Sequence, residues 1–219
     1  MGFARVFAPR YLVWHAAAIV VTYLSVTSGF DWYYFTHTRF NNLSELTIPA
    51  ALLGFFLPIV VPVVMYYLGE WRGSRHLMRA GVAVAQSEVV GYAVTVLYKT
   101  FTGRTQPDLV PQAPLVDTSH GFHLGFLQNG SFFDYGLFWG WPSSHTTLAF
   151  AAAAALIYMY PKNRALAIIV VLYALYIGLA VSVSVHWFSE FLAGAILGTL
   201  VGVVTSRGHT TTARLRAVV

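Results

Sequence analysis

Long apolar runs alternate with short polar breaks along the chain. Six runs stand out, at about residues 11–29, 48–69, 80–98, 143–160, 165–185 and 190–206. Each approaches the ~20 residues that an α-helix needs to cross a bilayer core. The pattern predicts an all-α fold: a polytopic membrane protein, a six-transmembrane-helix bundle, built as a single membrane-embedded domain over residues 1–219. The last three runs are separated by very short connections, which predicts antiparallel neighbours. The fourth is rich in alanine (Ala149, Ala151 to Ala155), and the sixth carries Gly194, Gly198 and Gly202 at four-residue spacing. Small residues let helix backbones approach closely, so both stripes read as packing faces. Such faces can pack within one chain and set no oligomeric state. The first run is longer than the apolar core of a cleaved signal peptide and reads as a retained span.

Composition agrees with lipid as the solvent. Of 219 residues 57% are hydrophobic and 10% charged, with mean hydropathy +0.63; a soluble domain carries about 25% charged residues. Cysteine is absent, which excludes disulfides, thiolate metal sites and thiol nucleophiles.

The net charge of +5 becomes informative once it is placed. Arg5, Arg10, Arg72, Arg75, Arg79, Lys162, Arg164, Arg207, Arg214 and Arg216 fall on one side of the six runs. Only Arg39, Lys99 and Arg104 fall on the other. The positive-inside rule then predicts a multi-pass protein of the cell (cytoplasmic) membrane with both termini cytoplasmic. The basic balance is a topology signal, and no nucleic-acid partner is expected; membrane lipids are.

This orientation puts the longest connection, from Lys99 to about Pro142, on the extracytoplasmic side between the third and fourth helices. It carries Phe122, Phe126, Phe132, Phe133, Tyr135, Phe138, Trp139 and Trp141. Such aromatics suit the headgroup interface, as a substrate gate or as an anchoring belt.

Three polar clusters converge on the same outer face. Lys99 ends the third run, and Arg104 follows a glycine. Pro142-Ser143-Ser144-His145 opens the fourth run. Proline is at home in the first helical turn, and the free N–H groups of a helix start form a ready anion site to which a serine adds a hydroxyl. His186 and Glu190 stand four apart, so on a helix they share a face. A carboxylate bonded to one imidazole nitrogen fixes the tautomer and makes the other a better base or nucleophile. Two cations, a nest of amides and two histidines, one backed by an acid, make up the inventory for phosphoryl transfer through a phosphohistidine. Two His and one Glu are also metal-ligand types, but the neighbouring Lys and Arg would repel a cation, so no metal is expected.

On these residues the chain resembles the type-2 phosphatidic acid phosphatase superfamily. Its three ordered motifs are Lys-x6-Arg-Pro, Pro-Ser-Gly-His and Ser-Arg-x5-His-x3-Asp. The resemblance implies His186 as nucleophile, Glu190 as its orienting partner and His145 as general acid. It further implies Lys99, Ser143 and the amide of Ser144 as phosphate ligands, a lipid phosphate as substrate, an extracytoplasmic site and no cofactor. This chain departs from the motifs in four places. The first arginine falls on Gln106, before Pro107; the second-motif glycine is Ser144; the third-motif Ser-Arg falls on Leu179-Ala180; and the aspartate is Glu190. Losing one preorganised donor to transition-state charge costs on the order of 3 kcal/mol, so two absent arginines call for compensation. Arg104 is the first candidate, with His120 and His123 behind it, and Gln106 itself remains a polar group at the site. The expected activity is hydrolysis of a lipid phosphate monoester or pyrophosphate. A lipid-linked phosphotransferase using the same histidines and a catalytically silent lipid-binding homologue are the alternatives.

Two further residues draw notice. Glu88 is an ionisable group inside a predicted span, a functional candidate by default; it either lines the pocket or pairs with a buried polar group. His15, in the first span, reads as a satisfied packing residue.

Overall fold

The computed structural model describes residues 2–39, 42–107, 115–124 and 140–216. Regular structure among them is helical. A short α1 (Gly2–Val6) precedes α2 (Leu12–Thr27) and α3 (Phe30–Thr38). Then come α4 (Thr47–Trp71), α5 (Arg75–Thr102), α6 (Ser144–Met159), α7 (Arg164–Ser182) and α8 (Phe188–Arg216).

Each predicted run is helical, but the runs differ as spans. Leu43–Trp71, Arg75–Thr102, Arg164–Ser182 and Phe188–His209 are long and apolar enough to cross a membrane. Pro9–Thr27 and Phe30–Thr38 pass only as a pair, bent by 71°. α6 has 16 residues, short of the predicted 143–160. Ser143 caps its start, and Pro161 keeps Tyr160 out of helical backbone (φ −125°, ψ 58°) at its end. The helix α3 was not foreseen. Gly29, at φ 73°, takes a left-handed turn open to glycine, and the chain restarts as a helix rich in aromatics.

The glycine stripe of α8 and the alanine-rich α6 are each other's partners. A Cβ on Gly194 would meet the Ser143 carbonyl at 2.9 Å. One on Gly198 would strike the Thr147 carbonyl, and one on Gly202 the Ala151 carbonyl. The two backbones therefore pack without intervening side chains. Gly178 of α7 similarly makes room for the Phe191 ring.

Burial is graded across the bundle. About 67% of the most apolar window of α8 is buried, against 17% for α4. Ile48, Leu52, Phe56 and Val64 of α4 face outward, as lipid-facing residues would. Polar groups turn inward and find partners: Ser87 meets Thr205 at 2.5 Å. His15 is satisfied on both nitrogens, by the Val6 carbonyl (3.0 Å) and the Tyr98 hydroxyl (2.7 Å).

Of the aromatics expected at the headgroup interface, Trp141 behaves otherwise. It is buried, and its indole donates to Thr22 Oγ1 at 2.7 Å, because the segment before α6 folds back onto α2 and α5. Phe122 is exposed. Phe126, Phe132, Phe133, Tyr135, Phe138 and Trp139 lie outside the described residues.

Candidate active site

The site forms where the start of α6, the end of α5 and the turn from α7 into α8 meet. The Ser143 side chain accepts from the Thr146 amide (3.4 Å) and hydroxyl (3.1 Å), satisfying one of the free donors of the helix start. The Ser143 amide itself donates to the Glu190 carbonyl at 3.3 Å, tying α6 to α8. His145 follows on the first turn of α6, close against Gly54 of α4, whose added Cβ would lie 3.2 Å from the ring.

His186 sits on the turn before α8, its amide bonded to the Val181 carbonyl at 3.0 Å. Its Nδ1 donates to Glu190 Oε2 at 2.6 Å, the four-residue relation expected from sequence. Nε2 is then the nitrogen left for chemistry. Burial, followed by the charges of Lys99 and Arg104, pushes the His186 pKa well below its ordinary 6.5, so the ring is held neutral. His145 and His186 face each other with ring centroids 6.0 Å apart. His145 Nδ1 is buried without a hydrogen-bond partner among the described residues.

Behind His186 lies a polar frame. Gln106 donates to Glu190 Oε2 at 3.3 Å and stands 3.4 Å from His186 Nδ1. Arg104, 1% exposed, donates to Asp31 Oδ2 (2.6 Å), Ser189 Oγ (2.7 Å) and the Ser119 carbonyl (3.0 Å). Its Nη1 lies 3.6 Å from Glu190 Oε1. Asp31 also receives the Ser189 amide (2.8 Å) and hydroxyl (2.6 Å). Trp187 covers this frame, its indole donating to the Thr105 carbonyl at 2.7 Å, and the Arg104 guanidinium lies 4.9 Å from the Phe122 ring centroid.

In front of His186 the character changes. A cavity of about 570 Å³ runs along α4 and α5, and Lys99, Ser144, His145 and His186 contribute to its lining. The rest of the lining is mostly apolar, from Gly54 and Phe55 through Pro58 and Pro62 to Val89 and Tyr92. Glu88 lines it as well.

Lys99, Ser144, His145 and His186 are thus brought to one cavity, with Glu190 and Gln106 bonded around His186. Arg104 is next to Glu190 and outside the cavity lining. His120 and His123 are exposed, and His120 lies 3.7 Å from Asp117. Asp31 escaped sequence reasoning. Its only signal was an acid isolated in an aromatic run, on the face that also held the isolated Arg104. Among the described residues no group of three His, Asp or Glu side chains is arranged to hold a metal ion.

Comparison with curated proteins and with solved structures returned no significant match. The family model described as PAP2 superfamily matches residues 77–214, a stretch that includes Lys99, His145, His186 and Glu190. The chain belongs to the PAP2 superfamily, whose members are generally phosphatases acting on phosphate esters.

Proposed function

We propose that this protein is an integral-membrane lipid phosphatase that hydrolyses a phosphate monoester or pyrophosphate of a lipid through a phosphohistidine. The observation that carries the reading is the His186–Glu190 bond of 2.6 Å facing His145 at the mouth of an apolar cavity. In the first step His186 Nε2 attacks phosphorus while the bond to the lipid oxygen breaks, and His145 gives that oxygen a proton. In the second, water attacks the phosphohistidine, His145 takes its proton, and inorganic phosphate leaves with His186 restored. Lys99, Ser144 and the free amides at the start of α6 receive the phosphoryl oxygens. Ser143, expected from sequence as a phosphate ligand, is buried outside the cavity lining and caps the helix instead. Arg104 and Gln106 contribute through Glu190, which they hold in place. The topology proposed with it is six crossings, both termini cytoplasmic and the site extracytoplasmic.

Purified protein is expected to release phosphate from a panel of phospholipid and polyprenyl phosphates, with a chelator present. His186→Ala should lower turnover by on the order of 10⁴-fold or more, as loss of a covalent nucleophile does. Turnover that survives this substitution would sink the mechanism. Gln106 standing where the family motif has arginine keeps a second reading in view, transfer to a lipid acceptor. In that case phosphate release stays low until an acceptor lipid is supplied and the phosphorylated acceptor accumulates.

A further inference from the structure

The apolar cavity holds one feature that phosphoryl transfer does not use. Glu88, on α5, lines it and is 6% exposed, yet its Oε2 has no hydrogen-bond partner among the described residues. Buried polar groups are as a rule hydrogen-bonded, and each exception asks for a reason. The side chains around it are already engaged elsewhere. Ser87 bonds Thr205 and the Ala83 carbonyl. Tyr173 on α7, which interacts electrostatically with Glu88, donates its hydroxyl to the Leu53 carbonyl at 3.4 Å. Of the nearby lining, Ala85, Val89 and Pro62 have no side-chain donor to give, and Tyr92, one turn along α5, carries a hydroxyl that does not reach Oε2.

Position makes the free oxygen meaningful. Glu88 and Lys99 line the same cavity and are eleven residues apart on one helix, about 16 Å along its axis. A lipid whose phosphate rests by Lys99, His145 and His186 would lay its chain toward Glu88 past Val89 and Pro58. A plain hydrocarbon at that depth leaves the carboxyl unsatisfied. A hydroxyl both donates and accepts, so it satisfies the carboxyl in either protonation state. An ammonium would bring three N–H donors to a place with one carboxyl to receive them.

We propose that Glu88 is a specificity-determining residue that hydrogen-bonds a hydroxyl carried on the substrate's hydrocarbon chain, about three helical turns from the reacting phosphorus. The inference rests on the lipid-phosphate reading above and narrows it to hydroxylated chains. A site built to bond a substrate hydroxyl rejects the analogue lacking it far more strongly than an apolar pocket discriminates by a methylene.

The test uses the intact protein in detergent and two non-hydrolysable probes, an alkyl phosphonate and its counterpart with a mid-chain hydroxyl. Wild type should bind the hydroxylated probe tighter by about tenfold or more. Glu88→Leu should erase the difference by weakening that probe alone, and Glu88→Gln, which still bonds a hydroxyl, should keep most of it. Thermal unfolding checks that each variant is folded. Equal binding of the two probes by wild type, or an equal loss of both in Glu88→Leu, overturns the role of Glu88 and leaves lipid phosphatase activity standing. If neither phosphonate binds and no lipid phosphate is hydrolysed, the lipid reading falls and this inference with it.

Discussion

Arg104 and Glu88 are both ionisable side chains buried in an apolar bundle, on opposite sides of His186. Arg104 is surrounded: Asp31, Ser189, the Ser119 carbonyl and Glu190 all lie within 3.6 Å. Glu88 has one carboxyl oxygen bonded to nothing described and a cavity in front of it. Burying a charge is tolerable when it is paired and hydrogen-bonded. The first neighbourhood therefore works as a frame, set once during folding. The second stays incomplete until something arrives. One side of His186 fixes the ring, and the other faces the cavity where the proposed substrate would sit.

This contrast predicts opposite signs for substitutions on the two sides. Asp31→Ala should have the largest effect on stability. It leaves the buried Arg104 without its closest counter-charge, and breaking such a pair costs about 3–5 kcal/mol. The unfolding midpoint in detergent should drop steeply, with Asp31→Asn intermediate. An unchanged midpoint would mean that the frame is not a unit. Next comes the packing that holds both histidines in register. Gly198→Leu drives a side chain into the Thr147 carbonyl. Overpacking of this kind costs about 1–3 kcal/mol, and both the midpoint and turnover should fall.

On the open side the sign reverses. Glu88→Leu removes an unsatisfied polar group from apolar surroundings. The ligand-free protein should gain up to the ~1–3 kcal/mol that such a group costs, read as a raised midpoint. A lowered midpoint would show Glu88 to be part of the frame after all.

The smallest effect is that of pH. The folded-state pKa of His186 lies below its ordinary 6.5, so the unfolded chain binds this proton first. The contribution of His186 is complete above about pH 6.5 and is lost as pH falls toward the folded value, by no more than about 1.4 kcal/mol per pH unit. For the same reason the acid limb that His186 imposes on kcat/KM should lie below pH 6.5. Replacing Lys99, one of the two cations that hold the ring neutral, with Met should move that limb upward. A limb unmoved by Lys99→Met would separate the two groups.

The sequence carried the membership of the side-chain cluster further than the architecture around it. His145, His186, Glu190 and Lys99 were legible as a cluster because motif spacing is a local property, although His186 meets Glu190 from the turn before α8 and not from a shared helix face. The α6–α8 contact was half legible. Both small-residue stripes stood out, but nothing in either stripe named the other as its partner. Asp31 was not legible, because its meaning comes from Arg104, 73 residues away, across a bend that depends on Gly29. The same distance hides the role of Arg104. Read along the chain it was a spare cation near a phosphate motif, whereas the fold gives its donors to Asp31 and Ser189. Trp141 misled for a related reason. An aromatic in a long loop suits an interface, and only the path of the chain toward α6 shows that it turns inward to Thr22.

The family match begins at residue 77, yet the chain before it supplies Asp31 to the frame and the α4 wall of the cavity. One wall of the cavity is therefore written on a stretch separate from the histidines, while Glu88, Val89 and Tyr92 on α5 share the matched stretch with them. A chimera that exchanged the first 76 residues for those of a relative would inherit a foreign wall around an unchanged pair of histidines. It would fold around them only if the incoming segment also brought a carboxylate for Arg104. If the cavity seats the substrate chain as proposed, its α4 wall can change within a lineage while Glu88 and the histidines stay, provided that the acid at position 31 is kept.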